Sequence, residues 1–420
     1  MWNLLKIIGK NVFWGLMLVL IVSNSGIPSL KLREIVRVET RWVEFDYVSW
    51  TIETIWQKTA QISLGTQRYM DETQQGVVVR RYFELINDQR QVRDTINNIY
   101  ADPSVTNPQV QAELYLAQQR LIQNELKHVS LLAEAILQHQ VSFVASANQL
   151  GFIHQPVPPV QYHTTSMPYA LIVSPRDIIR QDADISLLPD LSLDQIVALE
   201  KQVETTLNLS ALVVPIGGVG VYPTMVMETS SLNWLSEVVA HEWIHNFLTL
   251  RPLGVLYGQS SELRTINETT ASIAGKELGY SVIELFYPAL LPPPIVQTDS
   301  ESDDEMPTSQ EPPAFEFRAE MHETRLTADA LLEEGKIEDA EAYMEQRRQL
   351  FVENGYNIRR LNQAYFAFHG AYADQPGGAA GVDPVGEAVR SLRAQSSGLD
   401  AFLKRIAWVT SFERLQQLVN

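Results

Sequence analysis

The chain predicts an α+β protein, predominantly α-helical, in which a small sheet supports a few central helices. Three observations carry this reading. Apolar residues recur at helical spacing over 44–150, over 232–250 and again beyond Phe315. Short β-branched runs, Ala170-Leu171-Ile172-Val173 and residues 211–214, are confined to the middle of the chain. Hydrophobic content of 45% and charged content of 20% over 420 residues describe an ordinary globular chain with room for two to three domains.

Composition excludes several classes. With 32 Lys+Arg against 50 Asp+Glu the net charge is −18, and no basic run of useful length occurs, so nucleic acid is not expected as a partner. There is no cysteine. Disulfides, thiolate metal sites and cysteine nucleophiles are therefore excluded, and any transition metal must be held by His and carboxylate.

Taken in order, residues 1–30 carry Lys6 and Lys10, then an apolar run over 12–22, then Ser23-Asn24-Ser25-Gly26. This pattern predicts a signal peptide cut after Ser25, or an uncleaved membrane anchor if 2–8 extends the run. A buried amino-terminal helix is the plain alternative. Export, or tethering to the outer face of the membrane, is the expected location.

Residues 31–155 predict a helical hairpin. Val77, Tyr82, Leu85, Ile86 and Ile96 keep helical spacing, Ala101-Asp102-Pro103-Ser104 breaks it, and Asn107-Pro108 starts a second long helix that reaches about Leu150. Gln-rich faces suggest a solvated stalk or a cover packed on the catalytic part, in either case a separate layer. His128 and His139 read as surface or packing residues rather than ligands.

Pro156 opens the next unit, 156–290, with a strand at 170–173, a helix at 194–207 and a strand at 211–214. The run from Gly217 to Val226 alternates like a strand, but its three glycines and Pro223 place it at a sheet edge, because proline cannot donate to a ladder. An edge strand leading into a metal-binding helix suits an extended peptide bound by strand addition, and an ordinary edge hairpin is the plain alternative. Residues 291–314 pass through TDSESDDE and SQEPP and predict an acidic, proline-rich disordered loop. Helical patterning resumes at Phe315, and 315–420 reads as a carboxy-terminal helical part that completes the cleft. Within it, 331–340 reads as one helical hairpin.

The chemistry concentrates at His241-Glu242-Trp243-Ile244-His245. Two histidines four residues apart share one face of a helix and can reach one ion, and Glu242 projects beside it as a base for bound water. Val238, Val239, Ala240, Ile244, Phe247 and Leu248 make this helix, from Leu232 to Leu250 with Ser230 or Ser231 as cap, apolar on most sides and therefore buried. Two imidazoles and a carboxylate there would be costly without a partner, a difficulty a metal removes. The plain alternative is two core histidines satisfied by backbone or by Glu242.

A third ligand should come from a neighbouring helix. Glu268 lies 23 residues after His245, and Glu268, Ser272, Gly275 and Gly279 share one face whose small residues let two helices approach closely. The competing local reading is a capping box made by Thr265 and Glu268. Glu262 is a weaker ligand candidate.

With His241-Glu242-Trp243-Ile244-His245 followed by Asn267-Glu268-Thr269-Thr270-Ala271, the segment 238–279 resembles the gluzincin metallopeptidases, the thermolysin-like and aminopeptidase-like group. It looks closest to the bacterial predicted-aminopeptidase families with a helix-rich frame. The resemblance implies a zincin-like catalytic core, with active-site helices beside a small sheet that has an edge strand. It further implies Zn²⁺ held by His241, His245 and Glu268, and peptide-bond hydrolysis with Glu242 as base. The chain departs from thermolysin where an aspartate four residues after the ligand glutamate is replaced by Ser272. Asn246 or a backbone carbonyl is then left to orient a histidine.

An oxyanion donor is sought in the face formed by Asn362, Tyr365, His369 and Tyr372, with Tyr365 and His369 assigned catalytic roles and Tyr222 a weaker candidate. A half-exposed amphipathic face is the plain alternative there. Glu228 and Glu237 are candidates for binding a substrate amine. The expected function is a zinc peptidase acting on a peptide or protein. The rivals are an inactive zincin-like scaffold at the membrane surface and a metal-free core helix.

Overall fold

The computed structural model describes residues 32–101, 104–153, 155–291, 315–375 and 377–420. The amino-terminal apolar run and the acidic proline-rich segment expected to be disordered lie outside the described residues. Among the described residues no helix is long and apolar enough to cross a membrane. The fold is a predominantly helical α+β arrangement with small sheets, as composition and periodicity predict.

Two short helices, α1 (Leu32–Thr40) and α2 (Tyr47–Leu64), precede the hairpin of α3 (Glu72–Ala101) and α4 (Pro108–Ala147). The hairpin helices have 30 and 40 residues, about 45 and 60 Å of helix. Their ends follow the expected break, with Asn107 as N-cap and Pro108 in the first turn. His128 and His139 are exposed.

The hairpin packs as a cover against the rest of the described chain. The second half of α4 is apolar at Ala133, Ile136, Leu137, Val141 and Val144, and these residues share a buried cluster with Val239, Ile244, Ala271 and Leu278. Tyr287, just past the helix that ends at Phe286, donates to Gln140 Oε1 at 2.9 Å. The Gln-rich faces flank a stripe wide enough to pack, which is why the hairpin docks instead of standing free.

A first sheet has the order β5 (Ala183–Leu187), β4 (Tyr169–Ser174), β6 (Ser210–Pro215), antiparallel throughout. Alternation along β4 separates its faces. Leu171 and Val173 pack with Val36 of α1 and with Ile196, Leu199 and Val203 of α5 (Leu193–Leu207). Ala170 and Ile172 point the other way, with Leu212 and Val214, towards Ala364.

A second sheet has the order β3 (Tyr162–Thr165), β8 (Thr224–Met227), β7 (Gly218–Val219). The segment expected to be a single edge strand is therefore two strands. β7 takes the edge, whereas β8 is central, parallel to β3 and antiparallel to β7. Pro223 falls in the turn between them, where its missing N–H costs no ladder bond. A separate two-stranded hairpin of β1 (Gly151–Phe152) and β2 (Gln155–Pro156) leads out of α4.

The central helix pair is α6 (Leu232–Thr249) and α8 (Ser261–Phe286), separated by the short α7 (Pro252–Val255). Beyond residues 292–314, α9 (Phe317–Glu333) and α10 (Ile337–Glu353) form the expected hairpin. The chain then runs through α11 (Gln363–His369), which rests on β4 and β6. Finally α12 (Pro384–Ala394), α13 (Leu399–Ile406) and α14 (Phe412–Val419) close the core behind α8, where Arg393 forks onto Glu277 with two bonds of 2.7 Å.

Candidate metal centre

Helix α6 is set by its cap and its burial. Ser231 accepts from Trp234 N at 3.2 Å, and eleven of the helix's residues are buried on nearly every side. His241 and His245 lie one turn apart on the face turned to α8, with side chains 15% and 16% exposed. Helix α8 begins at Ser261 with Ser260 as its cap, so Thr265 is interior and the local capping-box reading of Glu268 does not hold. Glu262 is exposed in the first turn of α8 and is not a ligand.

Glycine brings the helices together where the sequence places it. A Cβ on Gly275 would stand 2.8 Å from His241 Cβ and 2.9 Å from its backbone nitrogen. One on Gly279 would stand 2.7 Å from the backbone of Glu237. This close crossing delivers Glu268, whose Oε2 lies 3.4 Å from His245 Nε2 and 3.8 Å from His241 Nε2, while the two Nε2 atoms are 3.1 Å apart. A point equidistant from the three atoms lies about 2.0 Å from each, the length of a metal–nitrogen or metal–carboxylate bond.

The polar accounting agrees with a cation at that point. Glu268 Oε2 is buried without a hydrogen-bond partner, while Oε1 accepts from Tyr257 Oη at 2.5 Å. Asn267 Oδ1 meets His245 Nδ1 at 2.7 Å, and its Nδ2 donates to Leu253 O at 3.4 Å. That second bond orients the amide, so Nδ1 of His245 carries the proton and the bare Nε2 faces the cluster. Two nitrogen lone pairs and a carboxylate oxygen thus converge on one place.

Electrostatics say the same. Burial opposes charge on His245, yet the Glu268 carboxylate outweighs it and raises the imidazole's pKa. Burial and the neighbouring His245 depress His241, and the Glu268 carboxyl is held low by His245 in spite of its burial. A proton on His245 and a cation between the three side chains would compete for the same Glu268 carboxylate. Glu242 stands apart from this set. Burial, reinforced by Glu268, lifts its pKa to about 7, the value suited to a group that exchanges protons near neutrality.

The centre opens onto a cavity of about 420 Å³. One wall is β7. A Cβ on Gly218 would meet Glu242 Oε1 at 2.5 Å, and one on Gly220 would meet His245 Cβ at 2.9 Å. These glycines let a sheet edge run directly over Glu242 and His245. Ala170, Ile172 and Phe368 supply apolar lining, and Arg264, Tyr257 and Tyr372 supply polar lining.

Several assignments from sequence fall elsewhere. Tyr365 and His369 stack on each other at 4.3 Å between ring centroids, and neither lines the cavity. Asn362 is the N-cap of α11, accepting from Tyr365 N and donating to Ala211 O, both at 3.0 Å. The helix ends at Gly370, so Tyr372 leaves the periodic face and alone of the four approaches His241, its ring 6.3 Å away. Tyr222, Glu228 and Glu237 do not line the cavity. Asn246 does not orient a histidine; it donates to Val221 O at 3.2 Å and Thr224 Oγ1 at 3.1 Å, tying α6 to the β7–β8 turn.

Asn267 takes the orienting role. It is legible only as the residue preceding Glu268. Tyr257 and Arg264 carried no periodic signal. No protein-family model, curated protein or solved structure matches this chain.

Proposed function

We propose that this chain is a zinc-dependent peptidase of the gluzincin type, with His241, His245 and Glu268 as ligands and Glu242 as base. The observation that carries the reading is the pairing of two features one residue apart: a three-ligand triangle of metal-bond dimensions, and a buried carboxyl poised near pH 7 outside it. A two-histidine, one-carboxylate set without thiolate suits zinc and leaves a coordination position open. When bound, the ion would lower the pKa of a water in that position and polarise a substrate carbonyl.

The chain's own residues supply the rest. Glu242 takes a proton from the attacking water and delivers it to the departing amine nitrogen. Asn267 holds the His245 tautomer, and Tyr257 holds Glu268 through Oε1. β7 is an outer strand that lines the cavity, so an extended peptide can pair with its backbone while its scissile carbonyl lies over Glu242. Tyr372 is the phenol placed to donate to an oxyanion on the His241 side.

A metal-bound scaffold has no use for a buried Glu242 excluded from the ligand set, which favours the enzyme. The amino-terminal run fits export or a membrane tether for such an activity. The test is direct: zinc-loaded protein incubated with a mixed peptide pool should generate new termini detectable by mass spectrometry. Protein carrying one equivalent of zinc that leaves the pool intact contradicts the proposal.

A further inference from the structure

We propose that Arg264 captures the terminal carboxylate of the substrate, so that the chain trims one or two residues from the carboxyl end of short peptides. This rests on the peptidase reading above and names its substrate class. The step is hydrolysis: water oxygen bonds to the carbonyl carbon, the C–N bond breaks, and the amine leaves with a proton as a free amino acid or dipeptide.

Arg264 stands one turn before Glu268 on α8, and one turn of helix is about 6 Å of axis. It is the only lysine or arginine lining the metal cavity among the described residues, and it also lines the pocket adjoining that cavity. Its Nε is buried with no hydrogen-bond partner, and its Nη2 reaches only Ala367 O at 3.4 Å.

The two other arginines of the adjoining pocket are engaged. Arg180 forks onto Asp182 at 2.5 and 2.9 Å, and Arg325 bonds Asp329 at 2.7 Å. Of these three arginines, Arg264 alone has no carboxylate partner. A guanidinium left without a carboxylate beside a cavity is costly, and an anion that enters the cavity answers its charge. A neutral peptide carbonyl would satisfy one N–H, whereas a carboxylate matches the fork and its charge together.

Spacing sets where that carboxylate lies. Arg264 and Glu268 line one cavity with their backbones a helical turn apart, and each extended residue spans about 3.3–3.6 Å, which suits a chain end one or two residues beyond the scissile bond. The cavity volume of about 420 Å³ suits a short peptide, with the free end at Arg264 and the remainder along β7.

The experiment compares matched peptides ending in a free acid or in an amide. On zinc-loaded wild type the acid should be cleaved with kcat/KM roughly 10- to 100-fold higher, the worth of a charged bidentate contact. Arg264→Gln should abolish that preference while zinc content stays at one equivalent. Binding of the same peptides to the zinc-loaded Glu242→Gln protein, measured by calorimetry, separates this inference from the peptidase reading, because it needs no turnover. Acid bound more tightly than amide supports capture of a carboxylate even if no peptide is cleaved. Equal affinities overturn it. An amidated peptide with an acidic side chain that binds as tightly as the free acid also overturns it, in favour of a side-chain site.

Discussion

Replacing Gly275 by alanine tests whether the close crossing of α6 and α8 builds the centre. The new Cβ would lie 2.8 Å from His241 Cβ and 2.9 Å from its Cα, whereas carbon atoms rest at about 3.5–4.0 Å. The helices must therefore part by roughly 0.7–1.2 Å at this point. Two effects oppose each other. Alanine favours a helix over glycine by about 0.8–1 kcal/mol, while overpacking of this kind costs about 1–3 kcal/mol. Packing wins on balance, and a net loss of about 0.5–2 kcal/mol should lower Tm by a few degrees.

Metal affinity should suffer more. Metal–ligand bonds tolerate about 0.2 Å, less than the displacement imposed on Glu268 two turns away, so affinity should fall at least about tenfold. The control is Gly258→Ala, where a Cβ meets nothing within 4 Å. Thermal melts and zinc competition against a chelator read both quantities. If Gly275→Ala matched Gly258→Ala in both, the packing argument for the centre would be refuted.

Gly218→Ala should push the Glu242 carboxylate aside, since its Cβ would meet Oε1 at 2.5 Å and Cγ at 2.7 Å. Peptide hydrolysis should drop about 100-fold or more with zinc retained, as peptide kinetics beside metal analysis would reveal. Asn267→Ala removes the partner of His245 Nδ1 and should weaken zinc binding about 10- to 100-fold in the same competition assay.

Away from the centre, Lys58 and Glu134 form a buried pair that ties α2 to α4, with Thr164 N donating to Glu134 at 2.9 Å. Lys58→Met strands the carboxylate and should cost about 3–5 kcal/mol in denaturant unfolding, largely recovered by adding Glu134→Leu. Burial would raise the Glu134 pKa, but Lys58 and His163 outweigh it and hold it at about 2. A carboxyl depressed on folding adds stability that is complete above its ordinary value near 4.5 and is lost as pH falls towards 2. Wild type should therefore lose stability across that window, and the Lys58→Met/Glu134→Leu protein should lose less.

The sequence made the centre legible because its signals are periodic. The four-residue step from His241 to His245 and the Glu268–Ser272–Gly275–Gly279 face survive as written, since both sit on long helices where spacing determines direction. The failures lie where periodicity ends. Tyr372 follows the end of α11, and Tyr257 sits in the turn after α7, so neither could be placed by counting residues. The same cause split the expected edge strand, because the Gly220–Pro223 turn reverses a chain whose apolar alternation looked continuous. The hairpin's docking was obscured for a different reason. Its first helix and the start of its second are dominated by polar residues, which hid the apolar stripe from Ala133 to Val144 that joins the main core.

The central claim is that Glu242 is the base beside an intact metal site, not part of the site. Glu242→Gln keeps the shape and leaves His241, His245 and Glu268 untouched. Zinc stoichiometry and peptide-cleavage rate, measured on the same preparation of this variant and of wild type, should show one equivalent of zinc in both and activity only in wild type. Equal cleavage by the two zinc-loaded proteins would contradict the account.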